Sequence, residues 1–497
     1  MKRSLSLLAL LLLLAACNRA QTEATPPATD TPEPAPPTAA PPPTDTPAPP
    51  TAAPTATSAP ALPADATPLD GQWEGAIDIA GTSLGIIVKF DSSTGALAAT
   101  IDIPQQGAIG LPLDDVRLEG DAVHFAIAAV GAQFDGTLDG ETIGGDFAQA
   151  GATGTFEMAR TGDVVAATAT PIPPYAVEEL TWPLDDTTMA ATLTLPEGDG
   201  PFPAVVFVAG SGPTDRDWNS PLLPGRNGSA ALLADELTRA GYATLRYDKR
   251  VAGPYAQQNL AALQGQLSFQ SHLDELASAV ETLVARPEVD AARVFVVANS
   301  EGTLHAMNYQ LSDPATPFAG LILTGAPGRP LTEVLHQQID QNVLSAEPDR
   351  AELLAKWDEA VAAFVAEGTA ELDPALPESV RQVWAGLVAP INQPFSRELL
   401  AAQPADLLAQ LSAPTLVIIG QKDIQVDWQA DGQVLEAAAG DNVTFSYPAN
   451  ANHVLKLEEK PAEELTAADG ATYNAPDRVL DPEAVQVILD WLAGQTN

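Results

Sequence analysis

The sequence predicts two folded domains of different class: a small all-β, barrel-like domain, and then an α/β domain with a mostly parallel, eight-stranded sheet. Residues 70–165 contain short alternating segments separated by glycine-containing turns, a pattern typical of antiparallel strands. Residues 175–497 alternate apolar runs with amphipathic stretches, which is typical of strands buried between helices. The 497 residues leave room for both, since a domain usually takes about 100–200 residues.

The composition excludes several classes of partner and site. The 23 Lys and Arg residues against 65 Asp and Glu residues give a net charge of −42, so the chain is unsuited to neutralising a nucleic-acid backbone. Cys17 is the single cysteine, which excludes an intramolecular disulfide and a thiolate zinc cluster. Among the five histidines, no pair has metal-ligand spacing on one predicted helix or strand. We therefore expect no nucleic-acid partner, no metal and no cofactor.

The amino terminus is predicted to be a lipoprotein signal peptide, residues 1–16. Two basic residues precede an apolar run of about a dozen residues, which is shorter than the roughly 20 that a bilayer span needs. The run ends in Leu-Ala-Ala-Cys at 14–17, which resembles the lipobox of bacterial lipoproteins. That resemblance implies cleavage before Cys17, lipid on Cys17, and an extracytoplasmic protein anchored to a bacterial membrane. An ordinary secretory signal with a chance cysteine is the alternative.

Residues 17–69, which begin with the lipid-bearing cysteine, are predicted to form a tether. Residues 18–68 contain 16 prolines, many Thr and Ala residues and no aromatic residue. Such a segment cannot bury enough apolar surface to offset its chain entropy, so we expect it to stay extended and unpacked.

The β domain, 70–165, is predicted to contain eight closely spaced strands, as in an up-and-down barrel or a small sandwich. His124 is its single histidine, so no acid–base group is visible there. We expect a packing or spacer role, with a ligand-binding barrel as the alternative. The predicted strands are 73–79, 84–90, 97–103, 111–118, 123–128, 132–138, 142–147 and 155–160.

The second domain, 175–497, is predicted to open with an antiparallel pair of strands and to continue with parallel ones. The later strands are near-continuously apolar, as expected of strands buried on both faces. Amphipathic helices are predicted at 230–240 and 271–285. The predicted strands are 177–182, 190–195, 204–208, 243–247, 294–298, 321–324, 415–419 and 443–447.

A candidate nucleophile follows the strand at 294–298. The strand runs into Asn-Ser-Glu-Gly at 299–302 and then into a predicted helix, which is the pattern of a nucleophile elbow that exposes Ser300. Small residues two positions before and after the serine allow strand and helix to approach closely, and Ala298 takes the place of the usual first glycine. An ordinary strand-to-helix turn with a serine cap is the alternative.

Two further side chains are predicted to complete a triad, in the chain order Ser, acid, His. Asp423 follows the strand at 415–419, and His453 follows the last strand, so both lie at the strand ends where Ser300 lies. His453 would remove the serine proton, and Asp423 would orient the imidazole ring. The alternatives are a helix-capping His453 and an Asx turn at Asp423, with Asp427 or Asp431 as the acid.

The remaining histidines fit this role poorly. His305 lies on the helix after Ser300 and faces away from it, His272 is expected on a helix surface, and His336 falls in the predicted lid. The oxyanion donors are predicted to be the backbone N–H of Glu301 and that of Ser211, in the glycine-containing loop after the third strand.

A long connection between the sixth and seventh strands, at about 330–410, is predicted to be a helical lid. Some of its aromatics, Trp357, Phe364, Trp384 and Phe395, are expected to line an acyl or alcohol pocket. An insertion packed on its own core is the alternative.

Taken together, these motifs resemble those of bacterial α/β-hydrolase-fold esterases, a group of serine hydrolases that includes relatives of the serine aminopeptidases. The resemblance rests on the elbow and on Gly-Ser-Gly-Pro-Thr-Asp-Arg-Asp at 210–217, Leu-Arg-Tyr-Asp-Lys-Arg at 245–250 and Asn-Ala-Asn-His at 450–453. It covers about residues 175–495, and a similar β module precedes the hydrolase domain in some secreted esterases.

The resemblance implies an α/β-hydrolase fold and a carboxylesterase whose triad is Ser300, Asp423 and His453. In the same pattern Asp248 and Arg250 follow the fourth strand, where structural ion pairs are favoured over catalysis. The leading prediction is hydrolysis of small to medium carboxylic esters, with a small-molecule ester as the substrate. The alternatives are a peptidase or acyltransferase with the same triad, or a catalytically inert surface binding protein.

Overall fold

A computed structural model describes residues 67–496, with gaps at 80–81, 93–96, 104–107, 128–130, 150–151, 163–172, 221–225, 346 and 476–477. The predicted signal peptide, Cys17 and nearly all of the predicted tether lie outside the described residues. The described chain forms two compact units, made chiefly of residues 67–162 and 173–496.

The first unit is a nine-stranded, chiefly antiparallel sheet, counted over the described residues, that nearly closes into a barrel. Its strand order is β4-β3-β2-β1-β9-β8-β7-β6-β5, and Leu113 alone connects the two edge strands. The prediction of one strand at 111–118 is wrong, because Pro112 has no N–H to extend the ladder and the chain changes edge there. The strands are β1 (Gly71–Ile79), β2 (Thr82–Asp91), β3 (Ala98–Ile103), β4 (Ala108–Pro112), β5 (Asp114–Glu119), β6 (Ala122–Ile127), β7 (Ala132–Asp139), β8 (Thr142–Gln149) and β9 (Ala152–Gly162).

Aromatic side chains fill the interior of this sheet. Trp73, Phe90, Phe125 and Phe134 are fully buried, and the rings of Phe125 and Phe134 stack with centroids 4.5 Å apart. Because aromatic residues bury large apolar areas, this unit has a core of its own. His124 lies outside that core, beside two carboxylates.

The second unit is built on an eight-stranded sheet with the order β10-β11-β13-β12-β14-β15-β16-β17 in the described residues. The strands from β13 to β17 in this order pair in parallel, whereas β11 is antiparallel to both β10 and β13. The sheet is therefore mixed rather than purely parallel, with the predicted antiparallel pair at one edge. The strands are β10 (Ala176–Leu184), β11 (Thr187–Leu195), β12 (Phe202–Val208), β13 (Ala243–Tyr247), β14 (Val289–Asn299), β15 (Gly320–Thr324), β16 (Thr415–Ile418) and β17 (Val443–Ser446).

Both faces of this sheet are covered. Val206 and Val208 of β12 contribute to one apolar cluster, whereas Val205 and Phe207 contribute to the other. None of the described helices combines the length and the hydropathy that a membrane span requires. The helices are α1 (Ser229–Arg239), α2 (Ala256–Leu263), α3 (Phe269–Val284), α4 (Gly302–Leu311), α5 (Leu331–Gln338), α6 (Arg350–Glu367), α7 (Glu378–Leu387), α8 (Phe395–Ala401), α9 (Pro404–Leu408), α10 (Ala430–Ala438) and α11 (Pro482–Thr496).

Candidate active site

Ser300 lies on a sharp turn between β14 and α4, at the carboxyl end of the parallel strands. Its backbone φ is +54°, a left-handed conformation that strains a residue with a side chain. The turn packs tightly against β12, since a Cβ on Gly302 would lie 2.6 Å from the carbonyl oxygen of Ala209. The Ser300 N–H donates to the Thr324 carbonyl of β15 at 2.9 Å. This strand–turn–helix geometry is that of a nucleophile elbow.

Asp423 and His453 are in contact, as an acid and a base of one triad would be. Nδ1 of His453 lies 2.8 Å from Oδ2 of Asp423, and the two side chains are 5% and 0% exposed. The other carboxylate oxygen of Asp423 accepts the N–H groups of Gln425 and Val426 at 2.7 and 2.9 Å. Asp423 therefore forms an Asx turn with one oxygen and holds the imidazole ring with the other.

Polar contacts fix His453 at the strand ends that hold Ser300. Asn299 Nδ2 donates to the His453 carbonyl at 3.0 Å and to Thr324 Oγ1 at 3.2 Å. The imidazole packs on Gly325, where a Cβ would lie 3.0 Å from the ring. In the described part of the chain, no hydrogen bond joins Ser300 Oγ to His453. Such bonds are commonly long in unliganded enzymes and shorten when substrate binds.

The two alternative acids have other partners. Oδ1 of Asp427 accepts backbone N–H groups at the start of α10. Asp431 is fully buried, and its Oδ2 lies 2.8 Å from Nη2 of Arg329. Among the described residues, Asp423 is the aspartate of these three that contacts His453.

The loop after β12 lies directly against the elbow. A Cβ on Gly210 would lie 3.3 Å from the Cβ of Ser300, so the Gly210–Ser211 peptide borders the candidate nucleophile. Lys249 Nζ donates to the Gly210 carbonyl at 2.5 Å. Because the C=O and N–H of a trans peptide point in opposite directions, this bond turns the Ser211 N–H away from Lys249. Glu301 supplies the first backbone N–H after the serine.

Lys249 belongs to a buried polar network that the sequence did not predict. Its ammonium lies 2.9 Å from Oε1 of Glu301, and the same oxygen lies 3.2 Å from Nε2 of His305. All three side chains are at most 4% exposed. Burial alone would raise the pKa of Glu301, but the charge of Lys249 and the contact with His305 lower that pKa to about 2. Burial lowers the pKa of His305 to about 4.

His272 is buried, so the prediction of a surface position for it is wrong. Its Nδ1 lies 3.0 Å from Oε2 of Glu275, whose Oε1 accepts from Nε of Arg250 at 3.0 Å. Burial alone would raise the pKa of Glu275, but His272 and Arg250 lower it to about 2. Arg250 thus forms a structural ion pair, as expected, and Asp248 forms one with an arginine of the loop after β12.

The helical insertion between β15 and β16 packs on a core of its own. Trp357, Phe364 and Trp384 are at most 7% exposed, and the ring centroids of the first two lie 5.8 and 5.7 Å from that of Trp384. These aromatics therefore fit the alternative of a self-packed insertion rather than a pocket lining. His336 of α5 pairs with Asp358 of α6 at 2.9 Å.

A cavity of about 20 Å³ lies beside Ser300, between the insertion and the loop after β16. Most of its walls are apolar, including Leu331, Val334 and Leu399 from the insertion and Val426 from the loop. Within the described ranges, no group of three or more His, Cys, Asp or Glu side chains could hold a metal ion. Ser300 lines this cavity, and the His453–Asp423 pair lies at the same edge of the sheet.

One known relative is an esterase. Esterase EstD of Thermotoga maritima is 27% identical to this chain over 264 residues, which is 53% of this chain and 57% of EstD. The chain therefore spans little more than half the length of that relative.

Solved structures show a weaker likeness. Est1E of Butyrivibrio proteoclasticus, solved with ferulic acid bound, is 13% identical, with a TM-score of 0.40 over 64% of this chain and 98% of that chain. Proline iminopeptidase of Mycobacterium smegmatis is 16% identical, with a TM-score of 0.38 over 64% and 98%. Likenesses at these scores carry no argument about activity.

Family membership rests on a broader match. The model of the alpha/beta hydrolase family matches residues 205–468, which is more than half of the chain and includes the elbow, Asp423 and His453. The chain belongs to the alpha/beta hydrolase family.

Proposed function

We propose that this protein is a serine esterase that hydrolyses carboxylic esters through an acyl-enzyme at Ser300. The single observation that carries the proposal is the contact between His453 and Asp423 at the sheet edge where Ser300 occupies its strained turn. The similarity to an esterase over 264 residues supports ester hydrolysis as the reaction class.

In the proposed first half-reaction, Nε2 of His453 takes the proton of Ser300 Oγ while that oxygen attacks the ester carbonyl. Asp423 keeps the other imidazole proton on Nδ1 and stabilises the charged ring. The N–H groups of Glu301 and Ser211 donate to the oxyanion that develops. His453 then gives its proton to the alcohol oxygen, the C–O bond breaks, and the acyl group remains on Ser300.

Water completes the cycle. His453 takes a proton from a water molecule, and the water oxygen attacks the acyl carbon. When this second intermediate collapses, His453 returns a proton to Ser300 Oγ and the carboxylic acid leaves. One ester and one water thus give one acid and one alcohol.

A matched panel of p-nitrophenyl esters and aminoacyl p-nitroanilides tests the proposal. We expect the esters to be cleaved faster, because the resonance-stabilised p-nitrophenolate needs less proton donation from His453 than an anilide nitrogen does. Faster cleavage of the anilides would identify a peptidase, and transfer of the acyl group to an added alcohol in preference to water would identify an acyltransferase. No turnover of either series would favour an inert binding protein.

We also propose that lipid on Cys17 anchors the protein on the extracytoplasmic side of a bacterial membrane. The support is the sequence Leu-Ala-Ala-Cys at 14–17 after a short apolar run. Metabolic labelling with a fatty-acid analogue is expected to tag the wild type and not Cys17→Ser. An unlabelled wild type would contradict the anchor.

A further inference from the structure

A large polar cleft opens next to the Ser300 cavity. Its volume is about 400 Å³, against about 20 Å³ for the cavity. The two spaces share the wall residues Val334, Gln338 and Gln425, so they lie side by side. An ester that spans them would place a small group beside Ser300 and a larger one in the cleft.

Uncharged amide side chains dominate the walls of the cleft. Trp428 adds an aromatic ring to the same walls. Six of the fourteen wall residues are glutamines: Gln337, Gln338, Gln341, Gln421, Gln425 and Gln429.

The charged residues of the cleft walls already have partners. Arg329 pairs with Asp431, and Asp423 pairs with His453. Asp427 accepts the backbone N–H groups of Gln429 and Ala430 at the start of α10. The amides therefore remain as the main polar groups that can bind a ligand.

Hydrogen bonds within the protein determine which donor or acceptor group of two of these amides remains available to a ligand. Oε1 of Gln337 accepts from Arg329 Nη1 at 2.6 Å, which leaves its NH₂ group to donate. Nε2 of Gln421 donates to the Tyr447 carbonyl at 2.8 Å, which leaves its Oε1 to accept. Oε1 of Gln338 is buried and has no hydrogen-bond partner among the described residues. Hydroxyl groups suit all three positions, because a hydroxyl both donates and accepts.

The fate of the acyl group decides which part of the ester each space receives. The acyl group stays on Ser300, which lines the small cavity, whereas the alcohol leaves through the larger cleft. Asp423 lines the cleft, whereas Leu331 and Leu399 line the cavity. A cavity of about 20 Å³ has room for about one water-sized group, such as the methyl of an acetyl group.

Building on the proposed esterase function, we propose that the substrate is an acetyl-type ester of a neutral polyhydroxylated alcohol such as a sugar. The cleft amides exchange hydrogen bonds with its hydroxyls, and Trp428 offers an apolar ring surface to the C–H face of a sugar. The net charge of −42 disfavours anionic sugars and phosphate esters.

Two acetate esters of similar size test the alcohol: methyl 6-O-acetylglucopyranoside and cyclohexylmethyl acetate. We expect kcat/KM to be at least about tenfold higher for the sugar ester, because a site built to bond hydroxyls rejects an analogue that lacks them. A ratio near one, or no cleavage of the sugar ester by an enzyme that cleaves p-nitrophenyl acetate, would overturn this substrate class alone. No cleavage of any ester would overturn the esterase proposal and this inference with it.

Variants of the cleft sharpen the test. The side chains of Gln341 and Gln429 make no hydrogen bond within the described residues, so each is free for a ligand. We expect Gln341→Leu and Gln429→Leu each to lower the sugar-to-cyclohexyl ratio about fivefold, which corresponds to one lost hydrogen bond. Gln433→Leu, exposed on α10 outside the cleft, is the matched control and keeps the ratio. Equal ratios in all of these proteins would overturn the proposal.

Esters with acyl groups of different length test the assignment of the cavity to the acyl group. We expect the acetyl ester of the sugar to be cleaved at least about tenfold faster than its hexanoyl ester, since extra methylenes would have to displace packed side chains. Equal rates would overturn the assignment of the cavity to the acyl group.

Discussion

The two units of this protein fill their interiors in opposite ways. The β domain packs aromatic rings such as Phe134 inside its sheet, and Asp102 is the one charged residue buried among its described residues. The region beneath Ser300 instead buries charged side chains, including Lys249 and Glu301.

This difference indicates that the second unit gives up stability to fix positions at the sheet edge that holds Ser300. Desolvating a buried ion costs several kcal/mol, which its partner only partly offsets. Glu301 Oε2 and His305 Nδ1 also lack a hydrogen-bond partner among the described residues, which costs about 1–3 kcal/mol for each group. In return, Lys249 orients the peptide after Gly210, which an apolar side chain could not do.

The largest expected effect comes from Ser300→Ala. We expect kcat for p-nitrophenyl acetate to fall about 10⁶-fold, because the nucleophile is lost and the triad acts as a unit. The midpoint temperature of thermal unfolding is expected to stay within a few degrees of that of the wild type. Ser312→Ala is the matched control, since its Oγ contacts a single backbone carbonyl in α4. Substantial activity in Ser300→Ala would mean that another residue is the nucleophile.

Asp423→Asn is expected to lower kcat about 10⁴-fold, because the amide favours the wrong tautomer of His453. Asp427→Asn is the comparison, since Asp427 accepts backbone N–H groups at the start of α10 and does not contact His453 among the described residues. Stopped assays of p-nitrophenyl acetate measure both variants. Equal losses in the two variants would contradict the assigned acid.

Lys249→Met distinguishes the positioning role of Lys249 in catalysis from its contribution to stability. We expect kcat to fall about 10²-fold with little change in KM, as when one oxyanion donor is lost. The variant is also expected to lose about 3–5 kcal/mol of unfolding free energy, because Glu301 loses the buried cation that offsets its own desolvation. The double variant Lys249→Met/Glu301→Gln should regain much of that stability and none of the kcat. Recovery of both would mean that Lys249 has a purely structural role.

His305 is expected to make the protein sensitive to acid. Its pKa is lowered from 6.5 to about 4 by burial, so the unfolded state binds more protons and stability falls as the pH drops from about 6.5 to about 4. The loss is about 3 kcal/mol over this window. Urea unfolding at several pH values is expected to show a shallower slope for His305→Gln. His336→Gln, at a half-exposed site, is the control, and an unchanged slope in His305→Gln would refute this assignment.

The smallest expected effect on catalysis comes from the β domain. Phe134→Ala is expected to destabilise that domain by about 3–5 kcal/mol, because it leaves a cavity among packed rings. We expect hydrolysis of p-nitrophenyl acetate to change less than about twofold, since the second unit has its own core. A large loss of kcat would contradict the view that each unit is stabilised by its own interior.

Local sequence patterns predicted most of the strands, and the strands whose bounds were predicted wrongly also have local causes. The run at 243–247 coincides with β13, in which all five residues are buried. The prediction for β14 began at residue 294, but the strand begins at Val289. Asp290 and Arg293 make that first part look like a loop, although they pair with each other at an exposed strand end.

Local motifs indicated the candidate site residues, whereas contacts between distant residues could not be predicted. Ser300 was predicted from its flanking residues and His453 from its place after a strand, and the structure brings His453 into contact with Asp423. Lys249 was missed because its partners Gly210 and Glu301 lie 39 and 52 residues away. Nothing in the sequence near His272 shows that its helix face is covered.

Mapping the site of covalent modification by a fluorophosphonate probe tests the central claim most directly. Peptide mass spectrometry is predicted to find the label on Ser300 in the wild type, and labelling of His453→Ala is predicted to be far slower. A wild-type protein that stays unlabelled, or that carries the label on another residue, would contradict the claim that His453 activates Ser300.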